Sequence, residues 1–266
     1  VLGADYINDQ RKQLSKPLFD ASIMNLRLTR IEGGFYSNFE AETHGAEWFD
    51  YTFLDHLIGE KVPESMDSRQ DAGLDKSRPI DVAFDYGTFN CMVCGQINTN
   101  SICVVKEFYT NQPQLLQDFV QQFCDYYIHY PNKAVNYFYD HTAVARSANT
   151  TETYAQTVIR VLKKNGWQVW ERYVGQAPSH DQKYEILNRV LREEDPNLPL
   201  LRYSRSLCPQ MEISISTAPV KQGRNGFEKD KKSEKDEAIN PEDATHFSDA
   251  FDTLVYFLLQ VYANGS

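Results

Sequence analysis

The chain has 266 residues, enough for one large domain or two small ones with a real core. Its 27 Lys and Arg against 37 Asp and Glu give a net charge of −10, which excludes a protein that holds nucleic acid by bulk positive charge and leaves room only for a local basic face. Leu254 to Leu259, the longest apolar run near the C-terminus, is far short of the roughly 20 residues that cross a bilayer. Residues 1–16 lack the apolar core of a signal peptide, so a soluble, unexported protein is expected.

Five cysteines are too few and too scattered for a disulfide framework and read as free thiols in a reducing compartment. Cys91 and Cys94 form a Cys-x-x-Cys that would suit half a zinc site or a redox pair. No second pair follows at ligand spacing and both lie in an apolar, strand-like run, which favours buried structural thiols.

In chain order, Phe35 to Leu57 is dense in aromatics (Phe35, Tyr36, Phe39, Trp48, Phe49, Tyr51, Phe53) and offers a surface that docks onto something else. The stretch 61–79, KVPESMDSRQDAGLDKSRP, is polar and rich in turn formers and reads as a linker or surface loop. Standing alone, residues 1–60 read as an incomplete piece, with the linker making an N-terminal segment 1–77, and a chain beginning with Val rather than Met suggests that an upstream part has been removed.

Ile80 to Asp85, Cys91 to Ile97 and Ile102 to Phe108 read as three antiparallel strands, separated by Tyr86-Gly87-Thr88 and Asn98-Thr99-Asn100. From Pro113, the apolar residues Leu115, Leu116, Phe119, Val120, Phe123 and Tyr127 share one helical face. Ala134 to Asp140 (AVNYFYD) is a fourth strand. A helix capped by Asn149 and Glu152 follows, and Gln168 to Val174 is a fifth strand. Asp181 to Glu194 patterns as an amphipathic helix and Met211 to Thr217 (MEISIST) as a half-wet strand. Residues 219–237 read as a protruding β-hairpin or mobile loop. A final helix is favoured at its start by Pro241, Glu242 and Asp243, and its buried stripe is Phe247, Phe251, Leu254, Val255, Leu258 and Leu259.

This order predicts a mixed α/β sheet of five strands, three antiparallel and then two parallel, flanked by helices with an inserted hairpin before the last one. Ligands of such sheets sit beyond the carboxyl ends of the strands. Asp85 and Asp140 end two strands there. Asp249, displaced by roughly 200° from Phe247 at about 100° per residue, points away from the apolar stripe near its helix N-terminus. Asp252 and Tyr256 share that side, which reads equally as a solvated polar face. Like charges brought side by side favour a shared cation, and three carboxylates suit two oxygen-preferring ions, Mg²⁺ or Mn²⁺, which activate a water and stabilise the leaving oxygen of a phosphodiester. Singly, an Asp at a strand end is more often a turn residue than a ligand.

The segments IDVAFDYG (80–87), NYFYDHT (136–142) and above all SEKDE with ATHFSDAFDTLVYF (within 233–257) resemble the nuclease domain of the large terminase subunit of tailed bacteriophages. The resemblance covers about residues 78–262 and implies a nuclease domain over 78–266 with a ribonuclease H-like fold, an endonuclease that cuts concatemeric double-stranded viral DNA in the host cytoplasm during genome packaging. It implies Asp85, Asp140 and Asp249 as catalytic acids on two ions, with His246 near the metals. It also implies Lys229, Lys231, Lys232 and Lys235 as DNA contacts, although acids among them equally suit a solvated loop. The portal protein and the small terminase subunit are the implied partners. Glu107, at the end of the third strand, is expected at a surface or edge. No Gly-x-x-x-x-Gly-Lys-Ser/Thr loop occurs, so ATP hydrolysis is not expected of this chain, and residues 1–77 read as the tail of an ATPase half with its linker. The competing readings are a non-catalytic docking module of a packaging machine and another ribonuclease H-like nuclease of resolvase or transposase type.

Overall fold

The structure, a computed structural model, describes residues 3, 6–7, 34–48, 67–86, 89–110, 114–145, 151–222, 227–235 and 244–265. Several sequence signals lie outside these residues: Phe49, Tyr51 and Phe53, the Gly87-Thr88 turn, Pro113, the Asn149 cap, and Pro241 to Asp243.

Period-two runs of β-branched and aromatic residues build the centre. Strands β2 (Ile80–Asp85), β3 (Asn90–Ile97) and β4 (Ser101–Thr110) pair antiparallel, and β5 (Ala134–Tyr139) and β6 (Gln168–Tyr173) add parallel on the other side of β2. The predicted parallel pairing of the first and fourth strands is thus present, with Ala83 opposite Phe138.

Among the described residues the sheet has seven strands rather than five; with β1 (Gly45–Ala46) and β7 (Leu200–Ser204) the order is β1-β7-β4-β3-β2-β5-β6. Of these two additions, β7 is parallel to β4 and the two-residue β1 is parallel to β7. Residues 34–48, read as part of an N-terminal segment 1–77, therefore join this sheet. Phe35, Tyr36 and Phe39 are buried in its core. Residues 67–79 are likewise packed, with Ser68, Gln70, Asp71 and Leu74 buried. Gln96 secures this stretch by accepting from Asp75 N and donating to the Pro79 carbonyl, both at 2.9 Å.

Alternation sends Ile80, Val82 and Phe84 to one face of the sheet, against α1 (Leu116–Tyr126) and α2 (Tyr154–Lys164). Thr153, not Asn149, caps α2, in a box with Gln156. Ala83, Cys91, Val93, Ile102 and Val104 face the other way, toward α3 (His180–Arg192), α4 (Pro209–Thr217) and α5 (His246–Gly265). By the same parity Asp85 lies on the α5 side. All five cysteines are buried and free.

The segment 209–217 is a helix rather than the strand that MEISIST suggested. Met211, Ser214 and Ile215 fall at helical spacing and are buried, Pro209 takes the first turn, and tertiary contacts decide between two periods that the sequence satisfies equally. Glu107 supplies part of that decision. A bulge opposite Cys94/Gly95 makes Val105 the extra residue of β4 and shifts the strand's parity, so Glu107 faces α4 and not a sheet edge. It is buried, and its carboxylate accepts from Gln210 N (2.9 Å) and Met211 N (2.7 Å), capping α4 from another strand.

Burial pushes Glu107 up to about 7 against the pull of those two amides, and burial likewise raises Asp81 and Asp71 to about 7. A carboxyl whose folded pKa exceeds its unfolded value contributes stability that is full below about pH 4 and lost as pH rises through the folded value. The melting temperature is therefore expected to fall between about pH 4 and 7. Asp81→Asn, which keeps a polar partner for Asn136, should flatten that slope; an unchanged slope would refute the assignment.

The bulge also explains Gly95. A Cβ there would stand 2.6 Å from the Cys103 carbonyl oxygen and 3.1 Å from Leu254 Cδ2. Gly95→Ala is expected to cost about 1–3 kcal/mol in denaturant unfolding, because a strand backbone has to move to admit one methyl group.

Candidate metal centre at the carboxyl end of the sheet

Asp85 ends β2, and α5 crosses the sheet above it, bringing His246 to Asp85 with Nδ1 2.7 Å from Oδ2. Phe89 holds the imidazole from one side, at 5.3 Å between ring centroids. One helical turn on, Asp249 is buried and its charge bears on Asp85. Burial raises the Asp85 carboxyl, and the nearby Asp249 charge adds to that, while the bond to His246 opposes both. Burial disfavours the His246 cation, but the bond to Asp85 and the surrounding carboxylates overcome it and raise the imidazole above its usual range.

At Asp249 and Asp252 the polar side of α5 is not solvated, the second being fully buried and the first nearly so, while Tyr256 on the same side is half-buried. The counter-ions of the two acids come from elsewhere in the chain. The inserted hairpin, β8 (Val220–Gln222) with β9 (Phe227–Lys229), is antiparallel as predicted and delivers Lys229 at the end of its second strand. The Lys229 ammonium is enclosed, 2.8 Å from Asp249 Oδ1, 2.8 Å from Asp252 Oδ2, 2.9 Å from Ser248 Oγ and 2.7 Å from Tyr36 Oη. It also lies over the rings of Phe35 and Tyr36, 5.2 and 5.1 Å from their centroids. Tyr36 in turn donates to Asp252. Lys231 donates to the other oxygen of Asp249, and Lys183 stands 4.0 Å from Asp252. Burial works against the Asp249 charge, yet Lys229, Lys231 and Lys183 together hold its carboxyl well below the usual carboxylate range.

Lys229 was expected on a DNA-facing loop; the structure corrects this, because an enclosed ammonium bonded to two carboxylates has no access to a phosphate. Lys231 is partly exposed at the site. Lys232 is 90% exposed beside Asp230 and away from Asp249. The Lys235 side chain lies outside the described residues. Asp140 follows β5 and caps the short turn His141–Val144, accepting from Thr142 N (2.8 Å) and Thr142 Oγ1 (2.6 Å). The structure joins Asp85, His246, Asp249 and Lys231 into one electrostatic group and places Asp140 at the neighbouring strand end. Among the described residues no three His, Cys, Asp or Glu side chains converge closely enough to hold a metal ion as they stand.

Sequence reasoning missed Asp252, Tyr36 and Lys183 as members of this site. The i, i+3 spacing of Asp249 and Asp252 was a usable signal for the first. Tyr36 and Lys183 carried none, since they arrive from other elements.

A sheet whose central strands run β4-β3-β2-β5-β6, three antiparallel and two parallel, with helices on both faces and acids at the carboxyl end, is a ribonuclease H-like architecture. The fold is similar to that of the large terminase of a thermophilic bacteriophage: two crystal forms of that protein each match with TM-score 0.50 and 14% identity over 97% of this chain. The chain spans about half of the terminase's length, 53% and 52% in the two forms. The g2p large terminase nuclease domain of bacteriophage SPP1, solved with bound Mn, overlaps more loosely, with TM-score 0.39 and 12% identity over 74% of this chain and 94% of that one. No protein-family model and no curated protein sequence matches the chain. Among the described residues no helix is long and apolar enough to cross a membrane.

Proposed function

We propose that the chain is a divalent-metal-dependent endonuclease, and more narrowly the nuclease part of a phage large terminase that cuts concatemeric double-stranded DNA during packaging. The observation that carries this reading is the pairing of Asp85 with Asp249 at the carboxyl end of a ribonuclease H-like sheet, in a site that the chain itself neutralises with Lys231 and His246. Oxygen donors concentrated where positive charge is required suit Mg²⁺ or Mn²⁺.

Asp85 and Asp249 would hold the ions, with Asp140 completing the set from the adjacent strand and His246 beside them. When bound, two such ions activate water and stabilise the leaving oxygen of a phosphodiester. The protein's own residues orient this set: His246 fixes the Asp85 carboxylate through Nδ1, and Lys229 fixes one oxygen of Asp249 from behind. At a net charge of −10 the chain repels DNA in bulk, so weak and salt-sensitive affinity is expected without further subunits, for which a portal protein and a small terminase subunit are the candidates.

The test is conversion of supercoiled plasmid to nicked and linear forms with Mn²⁺, Mg²⁺ or EDTA. Cleavage that needs metal supports the nuclease. Neither cleavage nor calorimetric Mn²⁺ binding would favour a non-catalytic docking module instead.

A further inference from the structure

The two oxygens of Asp249 are held by two lysines of very different freedom. Oδ1 belongs to Lys229, whose side chain has no exposure and which is within hydrogen-bond distance of four oxygens, one from Tyr36 and three from α5. Oδ2 belongs to Lys231, whose side chain is 38% exposed. Lys231 has a second carboxylate in reach, Glu234 Oε1 at 3.4 Å, an oxygen that also accepts from Thr245 Oγ1. The Lys231 charge also acts on Asp85.

We propose that Lys231 is a displaceable stand-in for a divalent cation: it neutralises Asp249 and Asp85 in the metal-free protein and must yield Asp249 Oδ2 before a cation enters, while Lys229 remains as the permanent counter-ion. The inference rests on the metal-site reading above and adds a residue that sets how tightly the metal is held. Lys229 is unable to play this part, because releasing it would strand Asp252 and undock the hairpin strand that carries it. Lys232 is equally unsuited, being paired with Asp230 in solvent.

The experiment is calorimetric titration of the whole chain with MnCl₂, comparing the parent with Lys231→Met, Lys231→Arg and Lys232→Met, each also melted in EDTA and in Mn²⁺. Breaking a partly exposed ion pair is worth about 1 kcal/mol, so Lys231→Met is expected to bind Mn²⁺ about five- to tenfold more tightly than the parent. Its melting temperature should also rise more on adding Mn²⁺ than the parent's does. Lys231→Arg should keep the parent affinity. Lys232→Met removes the same charge nearby and should gain little, which separates displacement from a general field effect. A parent that binds while Lys231→Met is unchanged, or gains no more than Lys232→Met, overturns the inference and leaves the metal site standing. Binding by Lys231→Met alone supports it. Folded proteins that all fail to bind Mn²⁺ overturn the metal reading and this inference together.

Discussion

Replacing Asp249 by asparagine is expected to abolish metal-dependent cleavage of supercoiled plasmid, a larger loss than the roughly 10–100-fold that follows removal of residues outside a metal's own ligand set. The amide keeps the shape of the carboxylate but removes the charge that Lys229 and Lys231 both neutralise, leaving little to attract a cation. The fold should survive, since Lys229 retains Asp252, Ser248 and Tyr36. A variant that melts like the parent and still cuts at a comparable rate would remove Asp249 from the reaction. Asp140→Asn sharpens the comparison. Asparagine caps a helical turn as well as aspartate does, so a fall in cleavage there would report the lost charge and not a lost cap.

The largest effect on stability is expected at Lys229. Lys229→Met keeps an apolar stem of similar length but leaves Asp249 and Asp252 buried without their shared counter-ion. Breaking a buried ion pair from one side costs about 3–5 kcal/mol, because the remaining buried charge loses its enclosed counter-ion; Asp249 then keeps only the partly exposed Lys231, and Asp252 keeps Tyr36 with Lys183 at 4.0 Å. For a chain of this size that is a fall in Tm on the order of ten degrees. The hairpin strand should loosen with it, since the lysine bonds tie the end of β9 to α5. Thermal melting beside Lys231→Met, whose ion pair is partly exposed, provides the scale. If both variants melt within about two degrees of the parent, a difference below 1 kcal/mol, the ammonium does not hold this corner together.

Tyr36 shows how the N-terminal residues take part. Its phenol accepts from Lys229 and donates to the Ser248 carbonyl (3.0 Å) and to Asp252, and burial raises it far above the usual tyrosine range, so it stays a neutral donor. The aromatic stretch that the sequence marked as a docking surface therefore has its partner within the same chain, at least over Phe35, Tyr36 and Phe39.

The central sheet was legible because its strands are local patterns. Period-two alternation in IDVAFD and AVNYFY fixes which side chains share a face, and a helical crossover between them implies a parallel return, so Asp85 and the α5 face followed from the residues alone. The last helix was legible for the same reason, its stripe repeating every three or four residues. What the tertiary structure decided are features with no local period. Strand β7 is five residues long after Pro199, and β1 is only two residues long; both exist through pairing with a strand distant in sequence. The segment 209–217 satisfied two periods, and a carboxylate from β4, aimed by a one-residue bulge, settled the choice. The same holds for the charges. The sequence placed four lysines in one polar stretch. Only packing separates Lys229, enclosed among oxygens of α5 and Tyr36, from Lys231 at the surface of the site and Lys232 in water, because burial depends on which distant elements close over a side chain and not on its neighbours along the chain.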